Sequence, residues 1–161
     1  KEYDNAQNEQ QAAAIKQILQ LFGISGDTAD ENFQKEIGHT RVSFWDCPLN
    51  RDYAERLRSD TLPLTEAKSE NRINRIAGTA DPRQTERVPA GAQFDFKLTV
   101  KQFDGDEETL LDTLLQGLKL LEWDSLGGNG SRGYGKVAFT AITRNGEDIS
   151  SCFAAIQPFA K

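Results

Sequence analysis

The sequence predicts an α+β fold, and three stretches carry that prediction. Glu9–Phe22 (EQQAAAIKQILQLF) spaces Ala12, Ile15, Ile18, Leu19 and Phe22 for one apolar helix face. Leu110, Leu111, Leu114, Leu115, Leu118 and Leu121 line a broader face of a second helix. Between them Phe94, Phe96, Leu98 and Val100 alternate with Asp95, Lys97 and Thr99, the period of a strand buried on one side. At 161 residues the chain suits one domain, residues 1–161, long enough to bury a real core.

The remaining elements follow in order. Residues 1–40 hold a solvated arm (Lys1–Asn8), the first helix stopped by Gly23, and a polar connector over 25–40. Arg41–Asp46 reads as a short strand ended by Cys47-Pro48, and 51–60 as a solvated turn or short helix. The span 66–91 is polar and carries Arg72, Arg75, Arg83 and Arg87. Its one turn-rich interruption, Ala77–Pro82, predicts a long two-stranded hairpin projecting from the body. Asp104–Glu108 supplies acidic residues ahead of the second helix, which ends near Glu122. A glycine-rich loop over 124–137 leads into a strand, Lys136–Thr143, closed by an Asn145-Gly146 turn. The tail Ile149–Lys161 is assigned no element.

Composition excludes several classes. No run approaches the roughly 18 apolar residues of a membrane span, so no membrane partner is expected. Cys47 and Cys152 lack metal-type spacing and make no secreted disulfide framework, which points to a reducing, cytoplasmic setting. The single His39 excludes a multi-histidine metal site and argues against a histidine-based triad. The net charge of −6 is unevenly spread. Residues 1–65 sum to −4 and 92–124 to −5, whereas 66–91 sum to +1 and 125–144 to +3. Screening confines such interactions to about 10 Å, so a basic strip on an acidic body can still meet phosphate.

The loop Gly127–Val137 (GGNGSRGYGKV) satisfies a dinucleotide pattern over Gly128–Gly133 and most of a P-loop pattern over Gly130–Lys136. Element order disposes of both. Nucleotide loops follow a strand and open a helix, because the helix N-terminus supplies the free N–H groups. Here a helix precedes and a strand follows, and Val137 stands where the magnesium-binding Ser or Thr belongs. Two readings stay open: a flexible connector, or a backbone cradle for phosphate. In the second, Arg132 and Lys136 add charge-assisted bonds and Tyr134 stacks on a base.

In context this loop closely resembles the C-terminal glycine-rich loop of the RAMP superfamily of CRISPR effector proteins, from Leu120-Leu121-Glu122 through Leu126–Val137. Thr65–Asn71 with Ile73 and Arg75, running into Ala80–Gly91, looks like the block of the repeating backbone subunit of type III-A complexes. Leu21-Phe22-Gly23 and Arg41–Asp46 fit the same register, so the resemblance covers roughly residues 19–143.

The resemblance implies a ferredoxin-like, RRM-like antiparallel sheet backed by helices, with the 66–91 hairpin as, or beside, the thumb. Its implied partners are guide RNA (crRNA), target RNA, neighbouring copies of the subunit in a filament, and other effector subunits. The implied RNA-binding residues are Lys68, Asn71, Arg75, Arg83 and Arg87 at the hairpin. At the loop they are Gly128, Gly130, Arg132, Gly133, Tyr134 and Lys136. For each arginine the alternative is a solvated hairpin charge pairing with Glu70 or Glu86.

One departure matters. Family members open with a strand, a glycine loop carrying an aspartate, and a helix introduced by a Pro-Gly-Ser-Ser-Leu-Lys-Gly type motif. This sequence contains none of these and starts with Lys1, as expected of a truncation, a split gene or a piece of a larger fusion. The aspartate credited with metal-dependent cleavage lies in that segment, so no catalytic residue is assigned, neither Asp46 nor Asp81. No cofactor is expected of this chain itself, while a divalent metal, Mg, is expected for cleavage by the complete subunit. The readings are therefore an RNA-binding backbone subunit, a metal-dependent target-RNA endoribonuclease completed elsewhere, or a structural adaptor without RNA function.

Overall fold

A computed structural model describes residues 9–25 and 30–159. The arm Lys1–Asn8 and the middle of the polar connector, 26–29, lie outside the described residues. The chain divides into two units: residues 1–43 with 99–161, and residues 44–98.

The first unit is organised by two helices whose apolar faces meet. α1 (Glu9–Phe22) packs on α4 (Leu110–Trp123), burying Leu21, Leu110 and Leu114. The helical spacing of their leucines makes this face, and its burial from water drives the contact. Gln17 of α1 is also buried. Its amide donates to Glu107 and to Thr109 Oγ1 (2.8 Å), and its oxygen accepts from Thr113, so a buried polar group is satisfied where α4 begins.

The connector is more ordered than its composition predicts. Residues Glu31–Ile37 form α2, capped by Asp30, whose carboxylate accepts from the Phe33 N–H at 2.9 Å. Ile37 is buried and gives the helix its reason to dock. Arg51–Ser59, charged throughout, is α3 of the second unit, with Asn50 as N-cap and Leu57 its buried residue.

Arg41 is the most tightly held cation among the described residues. Its guanidinium meets Asp106 through two bonds of 3.2 and 2.8 Å and donates to the carbonyls of Ile37 and His39. It also lies 5.0 Å from the centre of the Phe103 ring. Asp106 in turn accepts from the Phe103 N–H at 2.9 Å. Both side chains are below a tenth exposed. This pair ties the end of α2 to the turn before α4.

β1 (Val42–Phe44) and β4 (Leu98–Val100) form a two-stranded antiparallel sheet. Within the second unit the pairing is irregular. Trp45 N–H reaches Lys97 O (3.1 Å), and Asp95 N–H reaches Pro48 O (2.9 Å). Three steps on one strand thus match two on the other, so Asp46 and Cys47 bulge opposite Phe96. The predicted strand Phe94–Val100 is consequently cut to its last three residues. Phe94 and Phe96 are exposed rather than half-buried, Phe96 meeting the Phe44 ring at 6.4 Å.

The predicted strand Lys136–Thr143 is also corrected. Val137, Phe139 and Ile142 are half-buried, but the stretch joins no ladder among the described residues. Its backbone is met by side chains instead, Phe139 N–H by Glu122 at 2.7 Å and Ile142 N–H by Ser150 Oγ at 3.0 Å. A strand needs a neighbour to bond with, and apolar alternation alone does not supply one. Only Thr143–Arg144 (β5) pairs, with Glu147–Asp148 (β6) across the Asn145-Gly146 turn. The tail forms α5 (Ser150–Ala155), which buries Phe153 against Phe139, edge to face at 6.0 Å.

Candidate nucleic-acid interface

In the second unit β2 (Glu66–Asn74) and β3 (Thr79–Arg87) pair antiparallel over all nine residues, with Arg75–Gly78 as the turn. The register runs from Glu66 opposite Arg87 to Asn74 opposite Thr79. Because alternate residues of a strand face opposite sides, this register sorts the side chains. One face carries Glu66, Lys68, Glu70 and Arg72 with Asp81, Arg83, Thr85 and Arg87. The other carries Ala67, Ser69, Asn71 and Ile73 with Ala80, Pro82, Gln84 and Glu86. Lys68 and Asn71, which the family resemblance puts on one RNA-facing surface, therefore stand on opposite faces.

The charged face is largely neutralised from within. Arg87 meets Glu66 at 2.6 Å, Lys68 meets Glu70 at 3.1 Å, and Arg83 meets Asp81 at 3.0 Å. At the base of the hairpin these residues are half-buried, while the opposite face is open to solvent. Arg75 sits at the tip, exposed, at the start of the turn. The hairpin arginines in these pairs thus use Glu66 and Asp81, while Glu70 meets Lys68 and Glu86 accepts from the Thr65 hydroxyl.

The glycine loop belongs to the first unit and is closed on itself. Leu126 N–H bonds to Gly135 O at 2.8 Å, and Gly130–Arg132 makes one 3-10 turn between them. The amides of Arg132 and Gly133 are spent inside this turn, on Asn129 O and Gly130 O. A side chain at Gly130 would overlap Ser125, and one at Gly135 would overlap the Leu126 carbonyl. Gly135 is required by packing, since it meets backbone, whereas at Gly130 the Ser125 side chain would have to give way. Gly128 and Gly133 are exposed, with open space where a Cβ would stand.

Two expectations for this loop change. Tyr134 is 8% exposed, so its ring belongs to the core of the unit and is not offered to a base. Lys136 turns back onto the end of α4, where its ammonium donates to the carbonyls of Trp123 (2.8 Å) and Asp124 (2.5 Å). A helix ends with unsatisfied carbonyls and partial negative charge, which a cation relieves. Lys136→Ala is expected to lower stability by about 0.3–1 kcal/mol, with Lys136→Arg largely restoring it, as read by urea denaturation. Arg132 remains exposed on the outer rim of the loop.

Glu122 is the residue that sequence reasoning passed over. Burial pushes its carboxyl up, but the Lys119 ammonium at 2.9 Å and the Phe139 N–H outweigh this and hold it below the usual glutamate value. It anchors the chain leaving the loop to the helix entering it. Among the described residues no group of three or more His, Cys, Asp or Glu is placed to hold a metal ion. No helix among them is long and apolar enough to cross a membrane.

A family model described as the RAMP superfamily matches residues 1–138. The chain belongs to the RAMP superfamily. Among curated relatives, a Streptococcus thermophilus protein named "CRISPR system Cms endoribonuclease Csm3" is 41% identical over 129 residues, 78% of this chain and 54% of that protein. Proteins of the same name from Enterococcus italicus and Methanothermobacter thermautotrophicus are 36% and 48% identical, over 125 and 84 residues. These alignments take in 76% and 52% of this chain, and 55% and 34% of those proteins. The chain spans about half or less of the length of the curated relatives it matches. Helices with antiparallel pairs of strands accord with an α+β RAMP fold.

Proposed function

We propose that this RAMP chain is part of the repeating backbone subunit of a type III CRISPR ribonucleoprotein. In this reading it works in the cytoplasm and holds guide RNA, and the duplex of guide with target, by sugar-phosphate contacts. Neighbouring copies and other effector subunits would extend the complex along the guide, with the β2–β3 hairpin as the thumb and a ferredoxin-like core completing the fold. The single observation that supports this most is the 41% identity over 129 residues to a relative whose name places it in a CRISPR system. In such systems sequence reading is delegated to base pairing, so the protein needs affinity without base preference.

The test is fluorescence anisotropy of labelled single-stranded RNA titrated with the chain. Similar affinity for two unrelated sequences is expected, together with a fall in affinity as salt rises from about 50 to 200 mM. Binding that ignores salt, or that discriminates strongly between the sequences, overturns the proposal.

A second reading is favoured by the word endoribonuclease in the relatives' name. Here the complete subunit also cleaves target RNA with a divalent metal, its catalytic aspartate belonging to the family's N-terminal motif. No residue of this chain takes that role. Cleavage of target RNA by these 161 residues alone, in the presence of Mg, would overturn that placement.

A further inference from the structure

We infer that the hairpin meets RNA through Arg72 and Arg75 near its tip, and that Arg83 and Arg87 serve as internal ion-pair struts. This rests on the RNA-binding reading and says which side chains carry it. The charged face holds three carboxylates and four cations, Lys68, Arg72, Arg83 and Arg87. The carboxylates meet three of these cations: Glu66 meets Arg87, Glu70 meets Lys68, and Asp81 meets Arg83.

The pairing is offset from the register, and the offset decides which cation is left over. Asp81 stands directly opposite Arg72, yet its carboxylate accepts both Nε and a terminal nitrogen of Arg83, at 3.1 and 3.0 Å. The Arg72 side chain therefore forms no hydrogen bond or ion pair among the described residues, and neither does that of Arg75 three residues on. Both are exposed. The hairpin thus ends in two unneutralised positive charges, above a stem whose charges largely cancel.

A phosphate approaching the stem meets cations already matched by carboxylates, whose fields oppose one another within a few ångströms. Contact there must also displace an existing partner. At the tip the nearest carboxylate, Asp81, is already matched by Arg83, and a phosphate gains a charge-assisted bond from each guanidinium without displacing a partner. Arg72 was not among the residues that the sequence alone marked for RNA.

The experiment measures the salt dependence of binding to labelled single-stranded RNA for the intact chain and three variants. Arg72→Ala with Arg75→Ala is expected to weaken binding at low salt. It should also reduce the slope of log affinity against log salt by about 1.4, two contacts at about 0.7 each. Arg83→Gln with Arg87→Gln is expected to change that slope by less than one contact, about 0.7. The exchange Glu66→Arg with Arg87→Glu keeps the pair and should bind as the intact chain does.

An unchanged slope in the Arg72/Arg75 variant, or lost binding in the exchange variant, overturns the inference. Failure of the intact chain to bind RNA is a different result, and it overturns the RNA-binding reading itself. Circular dichroism of each variant separates lost contacts from lost folding.

Discussion

Replacing Asp106 by alanine is expected to cost about 3–5 kcal/mol of stability, the penalty for leaving a buried charge without its partner. The guanidinium of Arg41 would keep the carbonyls of Ile37 and His39 but lose both bonds to the carboxylate. The Phe103 N–H would lose its acceptor as well. Urea denaturation of the variant reads the effect. Arg41→Met with Asp106→Leu should recover only part of the loss, since removing both charges removes the desolvation cost but leaves the Ile37 and His39 carbonyls and the Phe103 N–H without these partners. A loss under about 1 kcal/mol for Asp106→Ala would place the pair with ordinary surface bridges.

The same pair sets an acid limit. The hydrogen bond from Arg41 is the largest influence and holds the Asp106 carboxyl below the usual aspartate value; burial opposes it, and the Phe103 N–H and the nearby positive charge add smaller lowering effects. A carboxyl depressed on folding contributes stability that is complete above its unfolded value, near pH 4. That contribution is lost as pH falls through the lower folded value. Glu122 adds in the same direction, and so does Asp148, through bonds from Ser150. Stability should therefore be flat above about pH 5 and fall below about pH 4, with Asp106→Asn removing part of the slope.

The helices were legible in the sequence because their apolar spacing is intrinsic to one segment. α1 runs over Glu9–Phe22 and α4 over Leu110–Trp123, as the periodicity places them. What one segment does not contain could not be read from it. Residues 136–142 have strand alternation but take their bonds from Glu122 and Ser150, contacts set by tertiary placement. α2 has seven residues and one buried side chain, too little for a periodic signal.

The hairpin faces were partly readable. Glu66, Lys68, Glu70 and Arg72 alternate with uncharged residues, which is the period of a charged strand face. Which carboxylate each cation meets depends on register, and register depends on turn length and pairing. Lys136 shows the same limit. A lysine beside glycines suits a phosphate loop, and nothing local says that a helix end lies within its reach.

Gly135→Ala is expected to open the loop, with a cost of about 2–3 kcal/mol. Gly135 holds φ +73, a conformation costing an alanine about 1–2 kcal/mol. The added methyl would also overlap the Leu126 carbonyl, a backbone atom that no rotamer change can move aside. Relief requires separating residues 126 and 135, which breaks the bond from Leu126 N–H and adds about 1 kcal/mol. Gly128→Ala is the control, since its Cβ meets open space and its φ is ordinary. Hydrogen exchange at the Leu126 amide distinguishes the two. It should quicken markedly in Gly135→Ala and stay unchanged in Gly128→Ala, while the amides of α4 remain protected in both. Equal protection of Leu126 in both variants would mean that the loop is a connector whose glycines are interchangeable.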